Sequence, residues 1–132
     1  GEKVPPADLE MALAADPLFD QVMIIGEGHS FLAALVVLNK PQHSALAAHN
    51  KNLAKLDSNS RAFKEYLLQR IFTLLHDFHG YMQVFGLAVV DECWTVENEL
   101  MTPTLKLKRH AILERHAEEV DEIYQGHDAL DS

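Results

Sequence analysis

The sequence predicts an α+β domain: a small, mainly antiparallel β-sheet with helices packed against it. Three observations carry that prediction. Residues 21–25 and 31–39 are two apolar, partly β-branched runs separated by Gly26–Glu27–Gly28–His29, the pattern of two strands joined by a tight turn. A third apolar run at 84–90 reads as another strand. Residues 61–79 and 108–124 repeat apolar side chains at helical spacing, which predicts two amphipathic helices.

Size and composition fit one such unit. A chain of 132 residues that is 48% hydrophobic can bury a real core as a single domain. Eleven Lys+Arg against twenty Asp+Glu leave a net charge of −9, which argues against nucleic acid as a partner. No apolar run is long enough for a transmembrane segment, and the first residues lack a signal pattern. The single cysteine, Cys93, excludes an intrachain disulfide and fits a reducing compartment. The expected location is therefore the cytoplasm or the cytoplasmic face of a membrane.

The elements follow in order. Pro5 and Pro6 with Asp8 and Glu10 mark a helix start, since proline suits the first turn and acids suit its positive end. Leu9, Met11, Leu13 and Ala14 make this helix mostly apolar, and Pro17 ends it. The run at 31–39 is apolar enough to be buried on both faces. Pro41–Asn52 reads as a helix, followed by a polar break at Asp57–Ser60 rich in N-cap residues. Phe63, Leu67, Ile71, Leu74, Leu75 and Phe78 form one stripe with Tyr66 beside it, and Gly80 closes that helix. Trp94 is expected to anchor the loop after the 84–90 strand. His116 falls on the apolar stripe of Ile112, Val120 and Ile123, where a packed histidine is expected. Gly126 and the polar tail are expected to end the ordered chain. The predicted core contains Leu35, Val37, Leu67, Ile71, Leu74, Leu87 and Ile112.

Chemistry-bearing motifs are few. No Gly-x-Ser-x-Gly, P-loop or Cys-His constellation occurs. His76 and His79 are spaced i, i+3, with His43 and His49 upstream, but two helical histidines do not make a metal site and none is expected. The feature that stands out is Thr102–Pro103–Thr104–Leu105–Lys106–Leu107–Lys108–Arg109. Three basic residues fall within four positions of an acidic chain, and no acid lies between Leu100 and Ile112. Pro103 biases Thr102 towards an extended conformation. If the extended form continues, Leu105 and Leu107 point inward while Lys106 and Lys108 point outward.

This stretch resembles the C-terminal signature of AMP-forming long-chain acyl-CoA synthetases, within the adenylate-forming superfamily. The resemblance extends to Gly1–Glu10, similar to the glycine-led loop after the family's interdomain hinge, and to Asp16–Pro17 with 21–28 and 31–37, similar to its strand pair. It implies that residues 1–132 are the mobile C-terminal domain of such a ligase, part of a longer chain. The N-terminal nucleotide- and fatty-acid-binding domain would lie outside this sequence and be its partner.

The reaction that the resemblance implies has two steps. A fatty acid and ATP give acyl-adenylate and pyrophosphate, and CoA then displaces AMP. Lys106 matches the lysine that reaches the active site during adenylation. Gly1, Glu2 and Lys3 match the loop that approaches CoA during thioester formation. Thr104, Lys108 and Arg109 stand beside Lys106 as supporting residues, either as solvated groups or as ligand contacts. ATP with Mg²⁺, held mainly by the other domain, and CoA as co-substrate are the expected cofactors. The competing expectation is a non-catalytic ligand-binding or protein-interaction module that shares the fold.

Overall fold

The structure is a computed structural model. It describes residues 6–26, 29, 31–54, 60–77 and 84–131, without the side chains of 53–54 and 126–131. The elements run α1 (Pro6–Ala14), β1 (Phe19–Ile25), β2 (Leu32–Leu38), α2 (Lys40–His49), α3 (Lys51–Ala54), α4 (Arg61–Leu74), β3 (Val84–Val89), α5 (Arg109–Arg115) and α6 (Ala117–Asp131).

The three strands form one sheet in the order β1-β2-β3. β1 and β2 pair antiparallel, with Met23 opposite Leu35. β2 and β3 pair parallel, with Leu35 opposite Ala88. The sheet is thus mixed, where the sequence suggested a mainly antiparallel one. The connection from β2 to β3 carries α2, α3 and α4, and a helical crossover returns the chain in the same direction.

Both faces of the sheet are covered. On one side Val22, Ile24, Ala34, Val36 and Val89 pack with Leu9 and Leu13 of α1 and Phe63, Leu67 and Ile71 of α4. On the other, Met23, Ala33, Leu35, Val37 and Ala88 pack with Trp94, Ile112, Val120 and Tyr124. This explains why β2 is apolar along its whole length, since a central strand between two layers has no wet face. Burying each large side chain here contributes about 1.5–3 kcal/mol. Of the predicted core residues, Leu35, Val37, Leu67, Ile71, Leu87 and Ile112 are buried. Leu74 is half-buried, and the buried position on its turn is Leu75.

Helix ends follow local chemistry. Asn39 caps α2, its side-chain oxygen accepting from the Gln42 N–H. Ser60 caps α4 through the Phe63 N–H. α4 ends with Leu75 as its C-cap, short of the expected 79; Phe78, His79 and Gly80 lie outside the described residues. The helix expected over 108–124 is broken at His116 into α5 and α6. α6 then continues past the expected end near Tyr124, through Gly126 to Asp131. A helical glycine costs only about 1 kcal/mol, less than the packing of the first turns contributes. Tyr124 fastens α6 to the β1–β2 turn. Its hydroxyl donates to the Phe31 carbonyl at 3.0 Å, its ring stacks on His29 at 3.8 Å, and burial pushes its pKa up to about 12. No helix among the described residues is long and apolar enough to cross a membrane.

Candidate functional site

The basic stretch is a tight turn, not a strand. The Leu105 N–H donates to the Thr102 carbonyl at 2.8 Å, and the Thr102 N–H donates to the Lys106 carbonyl at 2.8 Å. Met101 and Leu107 form an antiparallel bridge across its base. Pro103 falls on the second residue of the turn, where its fixed φ is favoured. Leu105 follows in the left-handed region at φ 64°, the pattern of a three-residue hairpin loop. This left-handed residue breaks the expected alternation. Leu105 points into solvent, 68% exposed, whereas Leu107 packs against the second core cluster. Lys106 and Lys108 are exposed, as the sequence suggested.

Threonines stiffen the turn. Thr102 Oγ1 accepts from the Lys106 N–H at 3.0 Å and lies 3.1 Å from Thr104 Oγ1. The supporting loop is anchored from below. Trp94 is buried, and its indole N–H donates to His116 Nε2 at 3.2 Å, so that nitrogen is the unprotonated acceptor. Gln21 holds the Trp94 backbone with both ends of its amide, at 2.7 and 2.8 Å. Asn98 accepts from the Thr95 N–H and donates to the Cys93 carbonyl. The Lys108 N–H then returns to the Leu100 carbonyl at 3.0 Å.

The basic residues of the stretch differ in what they touch. Lys106 and Lys108 have no ion-pair partner among the described residues. Arg109 is bound in a fork to Glu10 of α1, at 2.6 and 2.9 Å. Glu10 Oε2 also accepts from the Ile24 N–H of the edge strand β1 at 2.7 Å. Arg109 is thus part of the scaffold, and no local pattern pairs it with a residue 99 positions away. In the sequence Glu10 stood out only as one of two acids near the positive end of α1.

An open groove of about 810 Å³ runs between α1, the β1 edge and the turn, with Lys106, Leu105, Met11, Gln21, Glu10 and Arg109 in its lining. Met11, one of the apolar residues of its helix, is 73% exposed here. Gly1, Glu2 and Lys3 lie outside the described residues. Among the described residues no group of three or more His, Cys, Asp or Glu is placed to hold a metal ion.

Two further ion pairs lie away from the groove. Asp16, buried after α1, takes Arg70 of α4 at 2.6 and 2.9 Å and the Leu18 N–H at 3.0 Å. The guanidinium hydrogen bonds hold its carboxyl below the usual range against the opposing effect of burial, and the Arg70 pKa is raised in turn. Glu92 is lowered by its hydrogen bonds to Arg115 on the surface.

Comparison with known proteins identifies the family. A family described as "AMP-binding enzyme C-terminal domain" matches residues 1–128. A probable acyl-activating enzyme of Arabidopsis thaliana, named as chloroplastic, is 30% identical over 95% of this chain and 18% of its own length. A long-chain-fatty-acid–[acyl-carrier-protein] ligase of the same plant is 29% identical over 94% of the chain and 16% of its own length. A long-chain-fatty-acid–CoA ligase of Mycobacterium tuberculosis is 26% identical over 94% and 21%. The chain therefore spans about a fifth of the length of these relatives. The A domain of a carboxylic acid reductase from Segniliparus rugosus, solved with AMP and a carboxylic acid, shares the fold. Its TM-score is 0.76 at 22% identity, over 96% of this chain and 19% of that one. The adenylation domain of a carboxylate reductase from Mycobacterium chelonae superposes with a TM-score of 0.71 at 26% identity, over 95% and 18%. The profile match covers nearly every residue, and the chain belongs to the AMP-binding enzyme C-terminal domain family.

Proposed function

We propose that this domain is the mobile lid of an AMP-forming fatty-acid ligase and that Lys106 is its adenylation lysine. The observation that carries the reading is the contrast within the basic stretch. Arg109 is bound to Glu10, while Lys106 stands exposed on a stiffened turn beside an open groove. A lysine ammonium is a compact charge on a flexible stem, suited to bridging several anionic oxygens. In adenylation a carboxylate attacks the α-phosphate of ATP, and two like charges must approach as charge moves onto pyrophosphate. Lys106 would contact oxygens of both groups, orienting them and stabilising the transition state. ATP, Mg²⁺ and the fatty acid would be held by the domain that precedes this one. The exposed side chains of Met11 and Leu105 suit a face against which that domain closes. In the second orientation the Gly1–Lys3 segment would replace Lys106 and approach CoA. The domain would therefore serve each half-reaction with a different loop.

The test is Lys106→Ala in the longer chain that carries this domain. Acyl-adenylate formation, read as pyrophosphate release, should fall by about two orders of magnitude, the scale of one lost transition-state donor. Thioester yield from pre-made acyl-adenylate and CoA should stay near wild type. Equal loss in both steps would mean that Lys106 acts through folding or docking.

A further inference from the structure

We propose that Glu10 is a positioning residue for Lys106, acting through Arg109. The inference rests on the adenylation role given to Lys106 above. Glu10 accepts three hydrogen bonds: two from the Arg109 guanidinium and one from the Ile24 N–H. Its side chain is 11% exposed against 40% for Arg109.

The two ends of this pair are not equally fixed. Glu10 lies between Leu9 and Leu13 of α1, both in the core, and it also grips the edge strand β1. Arg109 opens α5, three residues beyond Lys106. The hydrogen bonds that close the turn are local, between Thr102, Leu105 and Lys106. They set its shape but not its place relative to β1 and the groove. Leu107 in the second core cluster and the hold of Gln21 on Trp94 and Met101 fix the base of the turn, and the Glu10–Arg109 fork ties it directly to α1 and β1, its two N–H···O bonds fixing orientation as well as distance. The pair also occupies one of the two carboxylates that line the groove with Lys106, the other being Asp20, which accepts from the Asn39 amide. A displacement of about 1 Å at a reacting group can cost about a hundredfold in rate. Loss of the fork, with the turn itself intact, should cost about tenfold.

The test is a double-mutant cycle in the longer chain, with ATP, Mg²⁺ and palmitate, read as pyrophosphate release. Glu10→Gln removes the charge but keeps an oxygen for the Ile24 N–H. It should lower adenylation about tenfold alone and less than twofold on top of Lys106→Ala, because a misplaced lysine cannot matter once the lysine is gone. Thioester formation from pre-made adenylate should change less than twofold. Arg109→Lys retains the charge and loses the fork, so it should show the same dependence on Lys106 and serves if Glu10→Gln does not fold. Equal losses with and without Lys106, or no loss at all, would overturn the positioning role. A clear loss in Lys106→Ala with none in Glu10→Gln would overturn this inference alone. No loss in Lys106→Ala would overturn it together with the reading it rests on.

Discussion

Leu105 shows how one backbone angle can decide a site. A leucine in the left-handed region costs about 1–2 kcal/mol, and here its side chain recovers little by burial. The same angle brings Lys106 out of the turn beside the groove. Leu105→Gly should relieve that strain while adding about 0.5–1 kcal/mol of unfolded-state entropy. Urea unfolding of the isolated domain should therefore show a change within about 1 kcal/mol, neutral or favourable. A loss above about 2 kcal/mol would mean the leucine side chain holds the domain together. The sequence exposed the composition of this stretch, and Lys106 and Lys108 are exposed as alternation suggested. Leu107 packs inward as alternation suggested, but Leu105 does not, because alternation assumes an extended chain while Pro103 and Thr104 fit a turn equally well. Trp94 and His116 were legible as buried, since an aromatic in a polar loop and a histidine on an apolar stripe each need a packed partner. Their bond to each other was not, because periodicity carries no information across elements.

At the scale of elements, ion pairs lock α1 to its neighbours from its middle and from just beyond its C-terminus. Glu10 reaches Arg109, and Asp16 just beyond the helix reaches Arg70 of α4. Asp16 has a folded pKa below its unfolded value of about 3.9. Its stabilising effect is therefore complete above the unfolded value and is lost as pH falls through the folded one. Asp16→Asn should cost about 2 kcal/mol at pH 7, the scale of hydrogen bonds to charged groups. The gap between variant and wild type should shrink in urea titrations below about pH 4. A gap unchanged at pH 3 would show that packing around Asp16, and not its charge, joins α1 to α4. Strands and helices were readable from the sequence because each buries a face with its own period. The parallel pairing of β3 was not, because it depends on where the crossover helices lead the chain. The break at His116 also escaped periodicity, since α5 and α6 continue one apolar stripe through Ile112, Val120 and Ile123.

At the scale of the molecule, the sheet is covered on both faces by elements of this chain. Such a core does not need another domain to exclude water, so residues 1–132 alone should unfold cooperatively in urea. Catalysis is a different matter. A single donor of the Lys106 kind contributes about 10²–10³ in rate, whereas holding reactants in register is worth about 10⁵ or more as effective molarity. The groove beside Lys106 is open on one side, with exposed Met11 and Leu105 at its rim, and offers a fatty acid and ATP no fixed relative position. The domain alone, incubated with ATP, Mg²⁺ and palmitate, should therefore release no pyrophosphate above background while remaining folded. Steady turnover by the folded domain would mean that it positions both substrates itself, and the lid reading would have to give way to that of a complete enzyme. A silent domain whose addition to a separately produced N-terminal portion restores pyrophosphate release, with Lys106→Ala failing to do so, would place the missing positioning in that portion and the charge in this one.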